Sequence, residues 1–184
     1  MTDQELSLAI ENVLVARDPR NMKIAQAALT PGYYLRAAEH LRGLTGPVLI
    51  GTGFPVGDTF ETDGPVGAIA LYDTLKFLGA DPWLVCASPL SLALKDDYQV
   101  LELRATDLPA AIIEADQNLK AIKPVALISI ERPGLTDNGR YYNMRGEDIS
   151  LRCGFFDPYM RAANCPTIAI GDGGNEIGMG NIAS

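Results

Sequence analysis

The sequence predicts an α/β fold: a mostly parallel sheet with helices on both faces, preceded by N-terminal helices. Two observations carry that expectation. Short apolar runs alternate with stretches of helical apolar spacing, the pattern of a sheet built from strand–helix–strand units. Three long polar, glycine-rich segments (Gly51–Gly67, Glu131–Asp148 and Gly171–Gly180) each begin where an apolar run stops. Right-handed crossovers put all strand carboxyl ends on one edge, and ligands bind outside that edge.

The elements follow in order. Leu6, Ile10, Val13 and Leu14 repeat at helical spacing from Thr2 to about Ala16, with Thr2 or Asp3 as N-cap. Asp18-Pro19-Arg20-Asn21 breaks this helix. A second helix is expected from about Met22 to Leu29, and a third from Tyr33 to Leu41 after the Pro31-Gly32 turn. Pro47–Gly51 reads as a buried parallel strand. Val66–Leu78 is helical, with Gly79 just past its end. Pro82–Cys86 and Gln99–Leu103 are strands flanking a short helix near Leu90–Lys95. Leu108–Ile122 is a helix, Pro124–Ile130 the clearest strand, and Thr167–Gly171 the last one. Between them, Ser150–Ala163 is expected to be helical, bent or split by Pro158.

The 184 residues are 47% hydrophobic, enough for one substantial core. Residues 1–184 are expected to form a single α/β domain, with residues 1–45 as a helical extension packed on it. Gly171–Gly180 should lead into a helix covering the sheet, yet only Asn181–Ser184 follows, so a C-terminal truncation, or a covering helix supplied by another chain, is expected.

Lys and Arg total 15 against 23 Asp and Glu, a net charge of −8, which disfavours nucleic acid. A small anionic ligand stays compatible, because a few arginines reverse the local sign. Cys86, Cys153 and Cys165 form no metal or disulfide spacing; Cys86 reads as core. His40 is the sole histidine and reads as a surface or helix-end residue, which excludes His-centred catalysis and multi-His metal sites. With no signal peptide and no stretch long enough to span a membrane, a soluble, cytoplasmic protein is expected.

In the first loop, Thr62 and Asp63 stand before Gly64-Pro65, where they can cap the next helix or present a carboxylate to a ligand at its N-terminus. In the second, Arg132 and Arg145 are suited to grip a carboxylate, against the alternative that Arg145 pairs with Glu147 or Asp148. In the third, five glycines in ten residues make a backbone nest for an anion, with Asp172 and Glu176 as acid/base candidates.

Together, Glu61-Thr-Asp-Gly-Pro-Val-Gly-Ala68, Glu131-Arg-Pro-Gly134 with Tyr142-Asn-Met-Arg-Gly146, and Gly171-Asp-Gly-Gly-Asn-Glu-Ile-Gly-Met-Gly180 resemble the α/β domain of the D-glutamate cyclase family. The resemblance covers roughly Ile10 to the end. It implies a hydro-lyase that converts D-glutamate to 5-oxo-D-proline and water, acting on a small acidic amino acid. Vertebrate relatives are mitochondrial and carry a second, unrelated domain ahead of this one.

For such a reaction the substrate ammonium must lose a proton before the amine attacks. Asp63 or Glu61 is the candidate base, and Asp172 or Glu176 the candidate acid that helps hydroxide leave. Arg132 or Arg145 would anchor the α-carboxylate; Thr62, Gly64, Asn143, Gly173, Gly174 and Asn175 complete the binding candidates. No cofactor is expected; a divalent metal is possible but has no support in the sequence, and a homo-oligomer is possible.

Two other readings compete. Gly171-Asp-Gly-Gly-Asn-Glu176 also looks like the metal loop of haloacid-dehalogenase-like phosphatases, although their nucleophilic Asp should stand at the end of the first strand. A non-catalytic module binding a small anionic metabolite would need the same loops without acid/base chemistry.

Overall fold

The computed structural model describes residues 1–182. Ala183 and Ser184, the end of the tail expected to be cut short, lie outside the described residues.

Three helices come first: α1 (Asp3–Leu14), α2 (Met22–Ala28) and α3 (Tyr33–Leu41). Five parallel strands follow: β1 (Pro47–Thr52), β4 (Asp81–Cys86), β5 (Val100–Glu102), β6 (Ala126–Ile130) and β7 (Thr167–Ile170). Their spatial order is β5-β4-β1-β6-β7. The chain therefore builds outward from β1 in one direction, then returns to build outward in the other. The order reverses between β1 and β6, which leaves a crevice at their carboxyl ends, where doubly wound sheets bind ligands.

Strand alternation sends successive side chains to opposite faces. Val48, Ile50, Leu84, Cys86, Ile128 and Ile130 pack under α4 (Asp63–Phe77) and α5 (Leu90–Leu94). Leu49, Val85 and Leu127 pack under α6 (Leu108–Ile122) and α7 (Asp157–Ala162). Each fully buried aliphatic side chain contributes about 1.5–3 kcal/mol. The mixed apolar runs are thus those of a sheet covered on both faces.

Several local details differ from the sequence expectation. The first loop contains a small antiparallel hairpin, β2 (Pro55–Val56) with β3 (Thr59–Phe60), that short-range periodicity does not reveal. Helix α4 begins at Asp63 rather than Val66, because Gly64 and Pro65 sit inside its first turn. Thr62 holds the N-cap position but makes no side-chain cap; Asp63 Oδ1 instead accepts from the Gly64 N–H at 2.9 Å. The stretch Ser150–Ala163 is split, with a single 3-10 turn at Ser150–Arg152 and α7 starting at Asp157. Pro158, which has no N–H to give, lies in the first turn of α7, where none is needed.

Cys86 is fully buried, and burial raises its thiol to about 11. Burial likewise pushes Cys153 up to about 12, so neither thiol ionises near neutrality. His40 lies exposed in the last turn of α3. No helix of the described residues is long and apolar enough to cross a membrane.

The N-terminal helices are joined by a buried polar pair. Ser7 donates to Glu11 at 2.6 Å, and Glu11 accepts from the Gly32 and Tyr34 N–H groups at 3.1 and 3.2 Å. Ser7 also accepts from the Leu35 N–H at 3.0 Å. These two side chains of α1 thus cap the N-terminus of α3, whose own N-cap, Gly32, has no side chain to do so. Burial alone would raise the Glu11 carboxyl, but the hydrogen bonds from Ser7, Gly32 and Tyr34 outweigh it and hold the group below its ordinary 4.5. Its stabilisation is therefore complete above pH 4.5 and is lost as pH falls through the lower folded value. Glu11→Ala is expected to cost about 2–3 kcal/mol at pH 7, read by urea unfolding. That penalty should shrink at acidic pH.

Candidate active site

The crevice between β1 and β6 is closed by close approaches that only particular residues allow. Glu131, the first residue after β6, has φ +49°, in the left-handed region that non-glycine residues rarely adopt. This turns its side chain toward the start of α4, where Gly64 lies against it. The second and third loops are stitched together by backbone. Gly134 N–H donates to the Asn175 carbonyl at 2.8 Å, and Ile177 N–H to the Arg132 carbonyl at 3.0 Å. A Cβ at Gly134 would stand 2.9 Å from the Glu176 carbonyl, so this crossing requires glycine. Asn175 Nδ2 adds a bond to the Tyr142 carbonyl at 3.0 Å.

The result is a cluster of carboxylates. Oxygens of Glu131, Asp172 and Glu176 lie within 4.8 Å of one another. Asp63, at the start of α4, lies close enough to raise the carboxyls of both Glu131 and Glu61. Glu176 is 5% exposed, and its Oε2 accepts from the Gly173 N–H at 2.9 Å. Burial raises it, with Asp172 adding to the effect and the backbone hydrogen bond opposing it. Glu131 is the most perturbed: burial, then repulsion from Asp172, Glu176 and Asp63, pushes it up to about 7. A carboxyl poised there can give or take a proton at neutral pH.

Arg20 is the cation set against this charge. It comes from the turn between α1 and α2, where Asp18 and Asn21 both have positive φ, and forms an ion pair with Asp172. It lowers Glu131 and Glu61 against the pull of their acidic neighbours. Removing it in Arg20→Gln is expected to move the Glu131 titration to higher pH, read as an alkaline shift of the pH–rate profile. Stability should change by no more than about 1 kcal/mol, because the pair is half-exposed.

The remaining candidates are placed as follows. Arg132 is 2% exposed; its Nη1 and Nη2 donate to the carbonyls of Thr52 and Gly154, both at 2.5 Å, and it stacks over Phe156. Arg145 is exposed at the tip of the second loop and takes part in no ion pair among the described residues. Asp148 pairs instead with Arg140. Asn143 closes that tip, accepting from the Arg145 and Glu147 N–H groups and donating to Glu147 Oε2. Gly173 is buried beneath Glu176, whereas Gly174 is exposed. Asp63, Gly64, Asp172, Gly173 and Glu176 thus gather around Glu131, with Glu61 facing Asp63 and Asp172 and Thr62 at the N-cap of α4, while Asn143 and Arg145 belong to a separate, self-bonded turn.

Sequence reasoning missed two members. Arg20 lies 152 residues from its partner and reads as part of a helix-breaking turn. Glu131 is visible as the residue following a buried strand, the one local signal that could have singled it out. Chemically, three carboxylates at this spacing can share a proton or offer oxygen ligands to a divalent cation.

The fold and site are those of a doubly wound α/β domain with a cluster of carboxylates at its switch point. Residues 11–184 match the family model described as D-glutamate cyclase-like, C-terminal, and the chain belongs to that family. It is 34% identical over 158 residues to the human (Homo sapiens) protein named D-glutamate cyclase, mitochondrial. The match covers 73% of this chain and 26% of that protein, so the chain spans about a quarter of its relative's length.

Proposed function

We propose that the domain acts as a D-glutamate cyclase-like hydro-lyase that closes D-glutamate to 5-oxo-D-proline and releases water. The observation that supports this reading is Glu131, a carboxyl raised to about 7 within a ring of carboxylates at the switch point. The family supports the same reading at a coarser level, as an enzyme of lyase type.

Cyclisation forms one C–N bond and breaks one C–O bond, and it moves two protons from the nitrogen to the departing oxygen. A base takes one proton from the substrate ammonium before attack and a second from the nitrogen after it; the departing carboxylate oxygen takes up both, one from the acid and one relayed from the base, and leaves as water. Glu131, partly protonated at neutral pH, suits the acid, with the buried Glu176 beside it. Asp63 or Glu61, at the mouth of α4, suits the base. Asp172 is engaged in an ion pair with Arg20, which suits a positioning role. Holding the amine against its own carboxyl carbon supplies much of the acceleration of an intramolecular reaction.

The phosphatase alternative loses support on geometry. Strand β1 ends at Gly51-Thr52, and Asp63 stands beyond the β2–β3 hairpin at the start of α4. The test is incubation with D- and L-glutamate, with added divalent metal and with chelator, assayed for 5-oxoproline. Product from D-glutamate is expected. Binding of D-glutamate without product under every condition would favour the non-catalytic binding module.

A further inference from the structure

A cavity of about 280 Å³ opens over the carboxyl ends of β1 and β4. It is walled by Phe60 of the hairpin and by Ser88 and Leu90, and Arg132 lines it. Arg132 is a buried guanidinium that takes part in no ion pair among the described residues. Two of its nitrogens are satisfied by backbone carbonyls, but its buried Nε has no hydrogen-bond partner. A cation held away from water without a counter-ion is costly, and an anion in the cavity relieves it. Arg152, which donates to the Gly57 carbonyl, adds a second positive charge to the same wall.

Glu131 and Arg132 are neighbours in sequence, so their α-carbons are about 3.8 Å apart. Their side chains diverge. The Glu131 Cβ lies against Gly64 of α4, whereas the Arg132 guanidinium stacks at 5.6 Å on Phe156, in the core beneath α6 and α7. The acidic cluster and the Arg132 cavity thus lie on opposite sides of the carboxyl end of β1.

We infer that this cavity is a carboxylate subsite built on Arg132, which seats one carboxylate of a short aliphatic substrate. The inference rests on the catalytic reading above and specifies how its substrate is held. A guanidinium edge suits a planar carboxylate, and Phe60 and Leu90 offer apolar wall to the methylenes. The small volume fits a short metabolite rather than a larger ligand.

Glutarate carries the two carboxylates without an amine, so it binds but cannot cyclise. Calorimetry on the full chain should show glutarate binding that inorganic phosphate does not displace. Arg132→Lys should weaken it at least tenfold. Because Arg132 also ties two backbone carbonyls, Ser88→Trp is the second variant: it fills the mouth of the cavity from an exposed position and should weaken glutarate to the same degree, with an unchanged circular dichroism spectrum. Absent binding, equal displacement by phosphate, or binding unaffected in folded Ser88→Trp overturns the inference. Loss of glutarate binding in both variants with no D-glutamate turnover in the wild type would leave the subsite standing and remove the catalytic reading. Turnover with unchanged KM in Ser88→Trp would do the reverse.

Discussion

Glu131→Gln is expected to make the protein more stable and nearly inactive. The Glu131 carboxyl is raised to about 7 from its ordinary 4.5, so the folded state binds a proton more tightly than the unfolded chain. Stability from this group is therefore greatest below pH 4.5 and falls as pH rises from 4.5 to about 7. A neutral amide removes that decline. The gain in Tm should be largest above pH 7 and vanish toward pH 4.5, a dependence that separates it from a packing effect. Turnover should fall by about two to three orders of magnitude, as for loss of a general acid. A variant that lost activity with no pH-dependent gain in Tm would place Glu131 outside the strained charge cluster.

Gly64→Ala is expected to cut activity without removing any functional group. A Cβ at Gly64 would stand 2.7 Å from the Glu131 Cβ and 3.3 Å from Thr52 Oγ1. The Glu131 Cβ is bonded directly to the backbone and cannot swing aside, and Thr52 is fully buried. Alanine favours a helix over glycine by about 1 kcal/mol, but overpacking of this kind costs about 1–3 kcal/mol, so net stability should change little or fall. A displacement of Glu131 by a fraction of an ångström to an ångström should lower turnover by up to about a hundredfold. Gly67→Ala in the same helix is the control. Its Cβ would meet only Ile130 Cγ2, at an ordinary 3.8 Å, so it should stabilise the helix and leave activity intact.

Much of this architecture is legible in the sequence, because local patterns encode it. The apolar runs at Pro47–Thr52 and Ala126–Ile130 sit where both faces of the sheet are covered, and the glycine-rich segments follow directly from them. What local patterns do not carry is which strands become neighbours. That β6 returns beside β1 is a tertiary fact, and it alone makes Glu131 a central residue instead of the start of a loop. Arg20 is hidden for the same reason, since its partner Asp172 is reached only when the N-terminal helices fold over the third loop. Arg132 reads equally well as a ligand-gripping residue and as a buried one, because sequence does not show that Thr52 and Gly154 offer it carbonyls. The tip around Asn143 and Arg145 is held by its own hydrogen bonds and stands apart from the Glu131 cluster, a separation that only the folded loop reveals.

The central claim is that the crevice holds Glu131 ready to exchange a proton near neutrality. It is tested most directly by 13C NMR titration of the glutamate side-chain carboxyls in the wild type and in Glu131→Gln. The account predicts one resonance titrating near pH 7 that is missing from the variant. If every glutamate instead titrates in the ordinary carboxylate range, Glu131 is an unremarkable surface acid and the proposed chemistry loses its acid.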